Sequence, residues 1–396
     1  MWETNYLTKL RTETPGCQHK IHLNNAGASL MPSPVIDAIS EYLELESITG
    51  GYETANMRQK SIHEAYVNMA NLLNTKAKNI AFTASATDSF FRAISSIPFK
   101  QGDILLTTND DYVSNQITFL IWQKRFGLQL IRVPNEPGGG LDLDAMEQAI
   151  KKYRPKIVSV THVPTNSGLV QPVAEVGRMC RENDIIYLVD GCQSIGQLAL
   201  DVEKIHCDFL SGTSRKFLRG PRGMGFLYVS DRILEKGYEP LMLDMRGADW
   251  TSENEYQSHP DARRFELWEN SYALVLGMGA AAKYAHEIGM DNIEARVKKL
   301  ADYTRKALFE IHGVKVLDRG KELCGIVVSQ IEGWDRGKFK PLLDEKNINT
   351  SISDGDSAQT SFAKRGIEWG LRISPHYYNT VEEIDICIGR IREILG

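Results

Sequence analysis

The chain has 396 residues, of which 42% are hydrophobic, so it can bury a large core and is too long for one ordinary domain. The formal net charge is -5, from 46 basic and 51 acidic residues, and the charges form no long block of one sign. This composition gives no electrostatic footprint for nucleic acid or for an anionic membrane, and any basic cluster is expected to bind a small anion.

The first twenty residues are polar and contain Pro15, so they lack the apolar core of a signal peptide. No segment approaches the about 20 apolar residues that cross a membrane. The six cysteines show no CxxC pair and no Cys/His ligand spacing, which argues against a disulfide framework or a metal site. We therefore expect a cytoplasmic protein without a membrane or nucleic-acid partner and without a metal.

From about residue 78 to residue 230, short apolar runs alternate with amphipathic stretches of helical length. This alternation is typical of an α/β fold with a doubly wound, mainly parallel sheet. The predicted strands are Asn79–Thr83, Ile104–Thr108, Gln129–Val133, Ile157–Thr161, Ile185–Val189 and Gly225–Val229, and two of the predicted helices are Asp142–Lys152 and Val173–Asn183. Ligands of such sheets bind outside the carboxyl ends of the strands.

In the C-terminal third, the regular alternation of short apolar runs and helical stretches ends. After Ser271 a long helix-forming stretch runs through Lys306, and a last helix begins near Thr380. Shorter segments between them, at Val314–Leu317 and Gly325–Val328, complete a smaller α/β domain. We predict a large domain at residues 20–270 and a small domain made of residues 1–19 and 271–396.

Two segments carry residues suited to chemistry. The strand at 185–189 delivers Asp190 to its carboxyl end, although a single aspartate there is more often a cap or a turn residue. Lys216 follows 26 residues later, in a turn rich in glycine, arginine and hydroxyl groups. A pyridinium ring needs a carboxylate to keep its nitrogen protonated, a Schiff base needs an amine, and a phosphate needs amides, hydroxyls and arginine.

The strand end Asp190-Gly-Cys-Gln193, paired with Lys216, resembles the fold-type-I pyridoxal-phosphate enzymes of the class V aminotransferase family, which includes the cysteine desulfurases. The resemblance runs from about His22 to the last helix. It implies a large doubly wound domain and a small C-terminal α/β domain. It also implies that Lys216 binds pyridoxal phosphate as a Schiff base, that Asp190 contacts the ring nitrogen, and that the substrate is an amino acid.

The same resemblance suggests further cofactor contacts. These are Ala86 and Thr87 with the phosphate, Tyr112 stacked on the ring, Gln193 with the ring hydroxyl, and Thr213 and Arg215 with the phosphate, although the family often has histidine at position 215. Thr165 occupies the family's asparagine position, so either Thr165 or the following Asn166 approaches the cofactor or the substrate. Simpler interpretations are a helix cap for Thr87 and a core position for Tyr112.

Arg372, in the segment Gly370–Thr380, matches the arginine that binds the substrate carboxylate, and Asn25 and Asn166 are predicted to line the substrate site. A surface salt bridge is the simpler alternative for Arg372. Cysteine desulfurases carry a nucleophilic cysteine upstream of this arginine, but the corresponding position here is Ser357, and no cysteine lies between Cys324 and Cys387.

A desulfurase without this sulfur acceptor resembles the carbon–sulfur lyases of the family, which act by β-elimination on a cysteine derivative or sulfoxide. The segments Gly50–Glu53, Met245–Trp250 and Ala262–Glu269 are most similar to a branch with ergothioneine-pathway sulfoxide lyases and epimerase-like proteins. A class V aminotransferase, an epimerase or a cysteine desulfurase-like enzyme is the alternative, and a catalytically silent cofactor-binding module is a remote one.

The family also builds its active sites at a dimer interface. We therefore expect a homodimer with shared active sites, in which the loop Arg264–Ser271 lies near the phosphate of the partner. Simple subunit packing is the alternative explanation for the arginine and aromatic residues of these segments.

Overall fold

A computed structural model describes residues 4–396 of the chain. The helices are α1 (Thr4–Thr12), α2 (Ser33–Thr49), α3 (Gly51–Met57), α4 (Gln59–Leu73), α5 (Ala86–Ser95), α6 (Val113–Phe126), α7 (Leu143–Tyr153), α8 (Val173–Glu182), α9 (Val202–Ile205), α10 (Asp231–Glu235), α11 (Tyr272–Ile288), α12 (Met290–Phe309), α13 (Arg336–Asp344) and α14 (Val381–Leu395). The strands are β1 (Ile21–His22), β2 (Ile80–Thr83), β3 (Ile104–Thr108), β4 (Gln129–Val133), β5 (Ile157–Thr161), β6 (Ile186–Asp190), β7 (Phe209–Thr213), β8 (Gly225–Val229), β9 (Ala248–Ser252), β10 (Glu255–Ser258), β11 (Val314–Val316), β12 (Val327–Ile331), β13 (Ile348–Asn349), β14 (Ser351–Asp354) and β15 (Trp369–Ile373).

A seven-stranded sheet forms the centre of the large domain. Its strand order is β2-β8-β7-β6-β5-β3-β4, and only β8 runs against the others. Alternate residues of β6 point to opposite faces, so that Tyr187 and Val189 join one hydrophobic core while Ile186 and Leu188 join another. Because both faces are covered, the strands are apolar along most of their length, and the predicted doubly wound, mainly parallel sheet is confirmed.

The C-terminal part contains a second sheet. Strands β11-β12-β15-β14 form an antiparallel sheet, and a third hydrophobic core unites it with Leu300 of α12, Phe339 of α13 and Ile388 of α14. The short β1 pairs in parallel with β13, which ties the N-terminal segment to this part of the fold.

Most predicted elements are confirmed to within one or two residues, but several features of the structure were not predicted. The stretch from Ser271 to Lys306 is two helices, because Gly289 adopts a φ of +90° and ends α11 before α12 begins. Strand β7 was missed because Ser211, Gly212 and Thr213 weaken its apolar pattern. Gly212 is required there, since a Cβ would lie 2.3 Å from the ring of Phe226. The hairpin β9–β10 was also missed.

The domain boundaries remain predictions. Helix α11, which follows the proposed boundary at residue 270, packs against α2 and α4 and contributes Val275 and Met278 to a core of the large sheet. Within residues 4–396, no helix combines the length and the apolar character needed to cross a membrane.

Candidate active site

The carboxyl ends of three neighbouring strands place the predicted catalytic residues at one edge of the large sheet. Asp190 is the last residue of β6, where it pairs with Thr161 of β5 and Ser211 of β7. Lys216 follows the end of β7 by three residues. The parallel arrangement therefore brings together two residues that are 26 positions apart in the sequence.

Lys216 lies in a buried position, with 7% of its surface exposed. Its Nζ is 5.8 Å from the centre of the Tyr112 ring. Burial lowers the pKa of the Lys216 amine, and Arg215 and Arg372 act in the same direction, while Cys192 and Asp190 oppose them. The surroundings thus favour a neutral amine, the form that a nucleophile or a proton acceptor requires.

Asp190 is held by groups on both sides of its carboxylate, and only 3% of its surface is exposed. The backbone N–H of Cys192 donates to Oδ1 at 2.9 Å, and Asn115 Nδ2 donates to Oδ2 at 2.9 Å. These bonds fix the carboxylate plane, leaving further lone pairs on its oxygens to accept a hydrogen bond from a ligand.

Thr165 links the predicted ring-hydroxyl contact to the predicted carboxylate-binding arginine. Its Oγ1 accepts hydrogen bonds from Gln193 Nε2 at 2.9 Å and from Arg372 Nη1 at 2.7 Å. Arg372 Nη1 also donates to the Thr165 carbonyl at 2.9 Å. Gln193 Nε2 additionally reaches the carbonyl of Ala26, in the N-terminal segment.

Arg372 is a buried cation that forms no salt bridge within residues 4–396. Burial lowers the pKa of its guanidinium to about 10, and the nearby charge of Arg215 contributes, so the group stays charged at neutral pH. Its Nε and the Oε1 of Gln193 are both buried without a hydrogen-bond partner among the described residues. One donor and one acceptor of the site therefore remain available to a ligand.

The predicted phosphate contacts surround the start of α5. Ala86 and Thr87 are its first two residues, and Ser85, not Thr87, caps the helix by accepting from the N–H of Asp88. The simpler alternative, a helix cap at Thr87, is therefore wrong, because the helix begins two residues earlier than that assignment requires. Gly225 lets the strand β8 approach this turn, since a Cβ there would lie 2.3 Å from the Ser85 carbonyl carbon.

The other two predicted phosphate contacts stem from the turn that carries Lys216. Thr213 Oγ1 donates to the carbonyl of Met224 at 3.3 Å. The Arg215 guanidinium donates to the carbonyl of Gly27, and the backbone carbonyl of Arg215 accepts from the N–H of Ser29. The N-terminal segment thereby holds the turn before Lys216 in place.

The two asparagines predicted for the substrate site differ in their surroundings. Asn25 is fully buried, and its side chain donates to the Ser374 carbonyl at 2.8 Å and accepts from the Tyr378 hydroxyl at 2.6 Å. It would have to exchange these bonds to contact a substrate. Asn166 Nδ2 donates to Ser361 Oγ at 3.0 Å, which connects it to the loop downstream of position 357. Both substrate roles remain predictions.

Sequence analysis did not assign a role to Asp111 or Asn115, which lie beside the site. They are four residues apart across the start of α6: Asp111 precedes the helix, and Asn115 lies in its first turn. This spacing was visible in the sequence, but the contact of Asn115 with Asp190 depends on how α6 packs across the sheet. Within residues 4–396, no group of three or more metal-binding side chains is present.

The model of the class-V aminotransferase family matches residues 21–387. The chain belongs to this family. A probable cysteine desulfurase from Pyrococcus abyssi is 29% identical over 396 residues, covering 98% of this chain and 97% of that protein. A probable cysteine desulfurase from Methanothermobacter thermautotrophicus is also 29% identical, covering 98% of both.

Solved structures give the same result for the fold. The apo cysteine desulfurase from Thermococcus onnurineus NA1 has a TM-score of 0.90 at 27% identity and covers 98% of this chain and 97% of its own. A cysteine desulfurase from Escherichia coli has the same TM-score at 20% identity, covering 100% and 99%. The fold class predicted from the sequence is thus confirmed.

The family identifies the chain as an enzyme that uses pyridoxal phosphate, as the sequence predicted, and the residues of the site fit this cofactor. The buried amine of Lys216 is suited to a Schiff base. The fixed carboxylate of Asp190 is suited to the ring nitrogen, and the unpaired Oε1 of Gln193 is suited to the ring hydroxyl. The individual residue roles remain predictions.

Proposed function

We propose that this enzyme is a carbon–sulfur lyase that cleaves a cysteine derivative or sulfoxide by β-elimination and leaves pyruvate and ammonia. The observation that carries the proposal is the residue at position 357. By resemblance to the family, this is where a desulfurase has its sulfur-accepting cysteine, and here it is an exposed serine in a short 3-10 helix, Gly355–Ser357.

The other cysteines are poorly placed to replace that acceptor. Cys324 and Cys387 are almost completely buried, and burial raises the pKa of both thiols to about 12. Cys192 is adjacent to Asp190 in space, and burial together with this carboxylate raises its pKa well above the usual value. A thiol that stays protonated is a poor sulfur acceptor, because the thiolate is the nucleophile.

The loop after position 357 is attached to the large domain. Thr360 Oγ1 donates to the carbonyl of Asn109 at 2.6 Å, and Ser361 Oγ accepts from Asn166 at 3.0 Å. Asn166 follows Thr165, which holds Arg372. The loop therefore borders the place where the substrate side chain would lie, and it supplies hydroxyl and amide groups that suit a polar sulfur substituent.

In the proposed reaction, each residue of the site has one task. When bound, the cofactor supplies an electron sink for the charge that develops at the α-carbon. Arg372 binds the substrate carboxylate and fixes the orientation of the α-carbon–hydrogen bond. Lys216, as a neutral amine, takes the α-proton, and Asp190 keeps the ring nitrogen protonated. The sulfur substituent leaves from the β-carbon with the bonding electrons, and water then hydrolyses the released unsaturated amine to pyruvate and ammonia.

The test is an assay of purified enzyme with S-substituted cysteines and cysteine sulfoxides, in which pyruvate, ammonia, alanine and sulfide are measured together. We expect pyruvate and ammonia in equal amounts, without alanine and without added keto acid. Ser357→Ala is the matched control and should behave as the wild type, because the proposal gives this serine no chemical role.

Each alternative gives a different product. Cysteine desulfurase is the second candidate, favoured by the names of the similar proteins, and it would convert cysteine to alanine with a persulfide on the protein. A requirement for a keto acid would indicate an aminotransferase, and inversion at the α-carbon an epimerase. No turnover across a broad panel of amino acids would indicate a silent cofactor-binding module.

We also propose that the enzyme is a homodimer with shared active sites. Large apolar side chains are exposed between residues 241 and 268, and they belong to Leu241, Met242, Met245, Trp250, Tyr256, Leu267 and Trp268. Such a concentration is typical of an interface. This segment includes much of the loop 264–271 that was expected near the phosphate of the partner. A cytoplasmic location remains a prediction.

Light scattering during size-exclusion chromatography is expected to give twice the mass of the 44.5 kDa chain. Trp250→Glu should shift the protein toward the monomer, because it places a charge in the proposed interface. Phe309→Glu is the matched control, since Phe309 is 81% exposed and Trp250 is 80% exposed. A monomeric wild type, or equal effects of the two substitutions, would argue against this interface.

A further inference from the structure

Two consecutive buried aspartates, Asp110 and Asp111, follow strand β3, and each is 9% exposed. Asp111 forms no salt bridge within residues 4–396, and burial raises the pKa of its carboxyl group. The nearest cation in its network, Arg132, reaches it only through Gln116, whose Oε1 accepts from Arg132 Nε at 2.8 Å. A buried carboxylate without a cation partner is costly, so its retention calls for an explanation.

The carboxylate of Asp111 is instead surrounded by neutral donors. They are the backbone N–H of Tyr112 at 2.7 Å, Gln116 Nε2 at 2.7 Å, Asn115 Nδ2 at 3.1 Å, Thr107 Oγ1 at 3.2 Å and the Thr161 hydroxyl. These donors fix the position of both oxygens, and the hydrogen bonds favour the ionised carboxylate against the cost of burial.

Asn115 connects this carboxylate to the active site. Its Nδ2 is 3.1 Å from Asp111 Oδ1 and 2.9 Å from Asp190 Oδ2. An amide nitrogen carries two hydrogens, and an ionised carboxylate only accepts, so the two shorter bonds of Asn115 each serve one aspartate, with Thr161 Oγ1 as a third and more distant acceptor at 3.3 Å. If the amide rotated by half a turn, its oxygen would face Asp190 and repel it. The same oxygen would face Asp111, which contacts the same nitrogen, so the two carboxylates together oppose this rotation.

Thr161 supports the same arrangement from the neighbouring strand. It pairs with Asp190 in the register of β5 and β6, its hydroxyl donates to Asp111, and its Oγ1 lies 3.3 Å from Asn115 Nδ2. Because the Thr161 hydroxyl donates its hydrogen to Asp111, it cannot donate to the side-chain oxygen of Asn115 and so does not favour the rotated amide. Strand β5, through Thr161, and helix α6, through Asn115, therefore both contribute contacts to the carboxylates of Asp111 and Asp190.

We infer that Asp111 is a positioning residue for the cofactor, which acts through Asn115 to hold Asp190 against the ring nitrogen. The inference rests on the proposed role of Asp190 but not on the reaction that the enzyme catalyses. Without Asp111, the Asn115 amide loses one of the two carboxylates that fix its orientation, and its bond to Asp190 is weakened. The cofactor is then held less tightly, although every residue that would touch it is still present.

The test is the dissociation constant of pyridoxal phosphate, measured by equilibrium dialysis of the holoenzyme, for Asp111→Asn and for the matched control Asp110→Asn. Asp110 is equally buried, but its carboxylate accepts from Asn135, away from Asp190. We expect Asp111→Asn to raise the constant about ten-fold, which is the usual effect of losing one hydrogen bond to a charged group. Asp110→Asn should leave it within about two-fold.

The route through Asp190 is tested by a double substitution. Combined with Asp190→Asn, the change Asp111→Asn should add nothing further to the dissociation constant, because the group it positions is already lost. Melting temperatures of all variants separate this coupling from a general loss of stability. If Asp111→Asn does not yield folded protein, Asn115→Ala breaks the same link and is expected to weaken the cofactor by the same factor.

Three results would overturn the inference. Equal effects of Asp110→Asn and Asp111→Asn would show a structural role only. If Asp111→Asn raises the dissociation constant by the same factor in the Asp190→Asn background as in the wild type, Asp111 does not act through Asp190. Wild-type affinity of Asn115→Ala for the cofactor would lead to the same conclusion. If Asp190→Asn alone leaves cofactor binding unchanged, the role of Asp190 itself fails, whichever reaction the enzyme catalyses.

Discussion

Lys216→Ala is expected to lower kcat by about a thousand-fold, within the range of about a hundred-fold to ten-thousand-fold that loss of a positioned general base produces. The amine of Lys216 is buried, and burial lowers its pKa, so it is suited both to the Schiff base and to proton transfer. The variant should still bind some pyridoxal phosphate, because Asp190, Gln193 and Arg215 are unchanged. Steady-state kinetics, with the absorption spectrum of the bound cofactor, measure the two effects separately.

The assignment of Lys216 can also be checked by labelling. Borohydride reduction of the wild type should fix the cofactor to the peptide that contains Lys216, as identified by mass spectrometry. Lys204→Ala is a suitable control, because the Lys204 side chain is 83% exposed and lies in α9, which precedes β7 and is therefore at the opposite edge of the sheet. A label on another lysine, or full turnover in Lys216→Ala, would contradict the assignment.

The main elements of the fold were predictable because the large sheet is mainly parallel. Strands buried on both faces give continuous apolar runs, and the runs that became β3, β4, β5 and β8 were predicted with their observed bounds. The carboxyl ends of the parallel strands share one edge, which is where Asp190 was expected. The pairing of Asp190 with Lys216 came from the family resemblance, because β7, the strand before Lys216, was not predicted. Strand β7 was not predicted from the sequence because its last three residues are small or polar, although the strand lies between β6 and β8 in the sheet.

The parts of the site that could not be predicted are contacts between distant segments. Gln193 bonds to the carbonyl of Ala26, and Arg215 to that of Gly27, but the N-terminal residues carry no local pattern that points to the site. Likewise, Asp111 and Asn115 lie on either side of the start of α6. Their relation to Asp190 arises only from the packing of α6 over strands β5 and β6. The pattern of hydrophobic residues indicates which side chains are buried, but it does not indicate which polar groups form hydrogen bonds with each other.

Asp190→Ala is expected to abolish turnover and to raise the dissociation constant of pyridoxal phosphate by about 100-fold, measured by equilibrium dialysis. A hydrogen bond to a charged group contributes about 1.5–3 kcal/mol, and the substitution also leaves two buried donors without an acceptor. These donors are the N–H of Cys192 and the amide of Asn115. The loss of affinity should exceed that of Lys216→Ala, where the noncovalent contacts remain.

Asp208→Ala separates this effect from the general cost of losing a buried aspartate. Asp208 is also buried and accepts hydrogen bonds from Arg232 and from the backbone N–H of Tyr187, but it precedes β7 and therefore lies at the opposite edge of the sheet. Its loss should lower the melting temperature without weakening the cofactor. If both variants lose stability but only Asp190→Ala loses the cofactor, the carboxylate at the end of β6 acts on the ring and not only on the fold. If both retain it, a different group must keep the ring nitrogen protonated, and the position of Asp190 at the strand end would be structural.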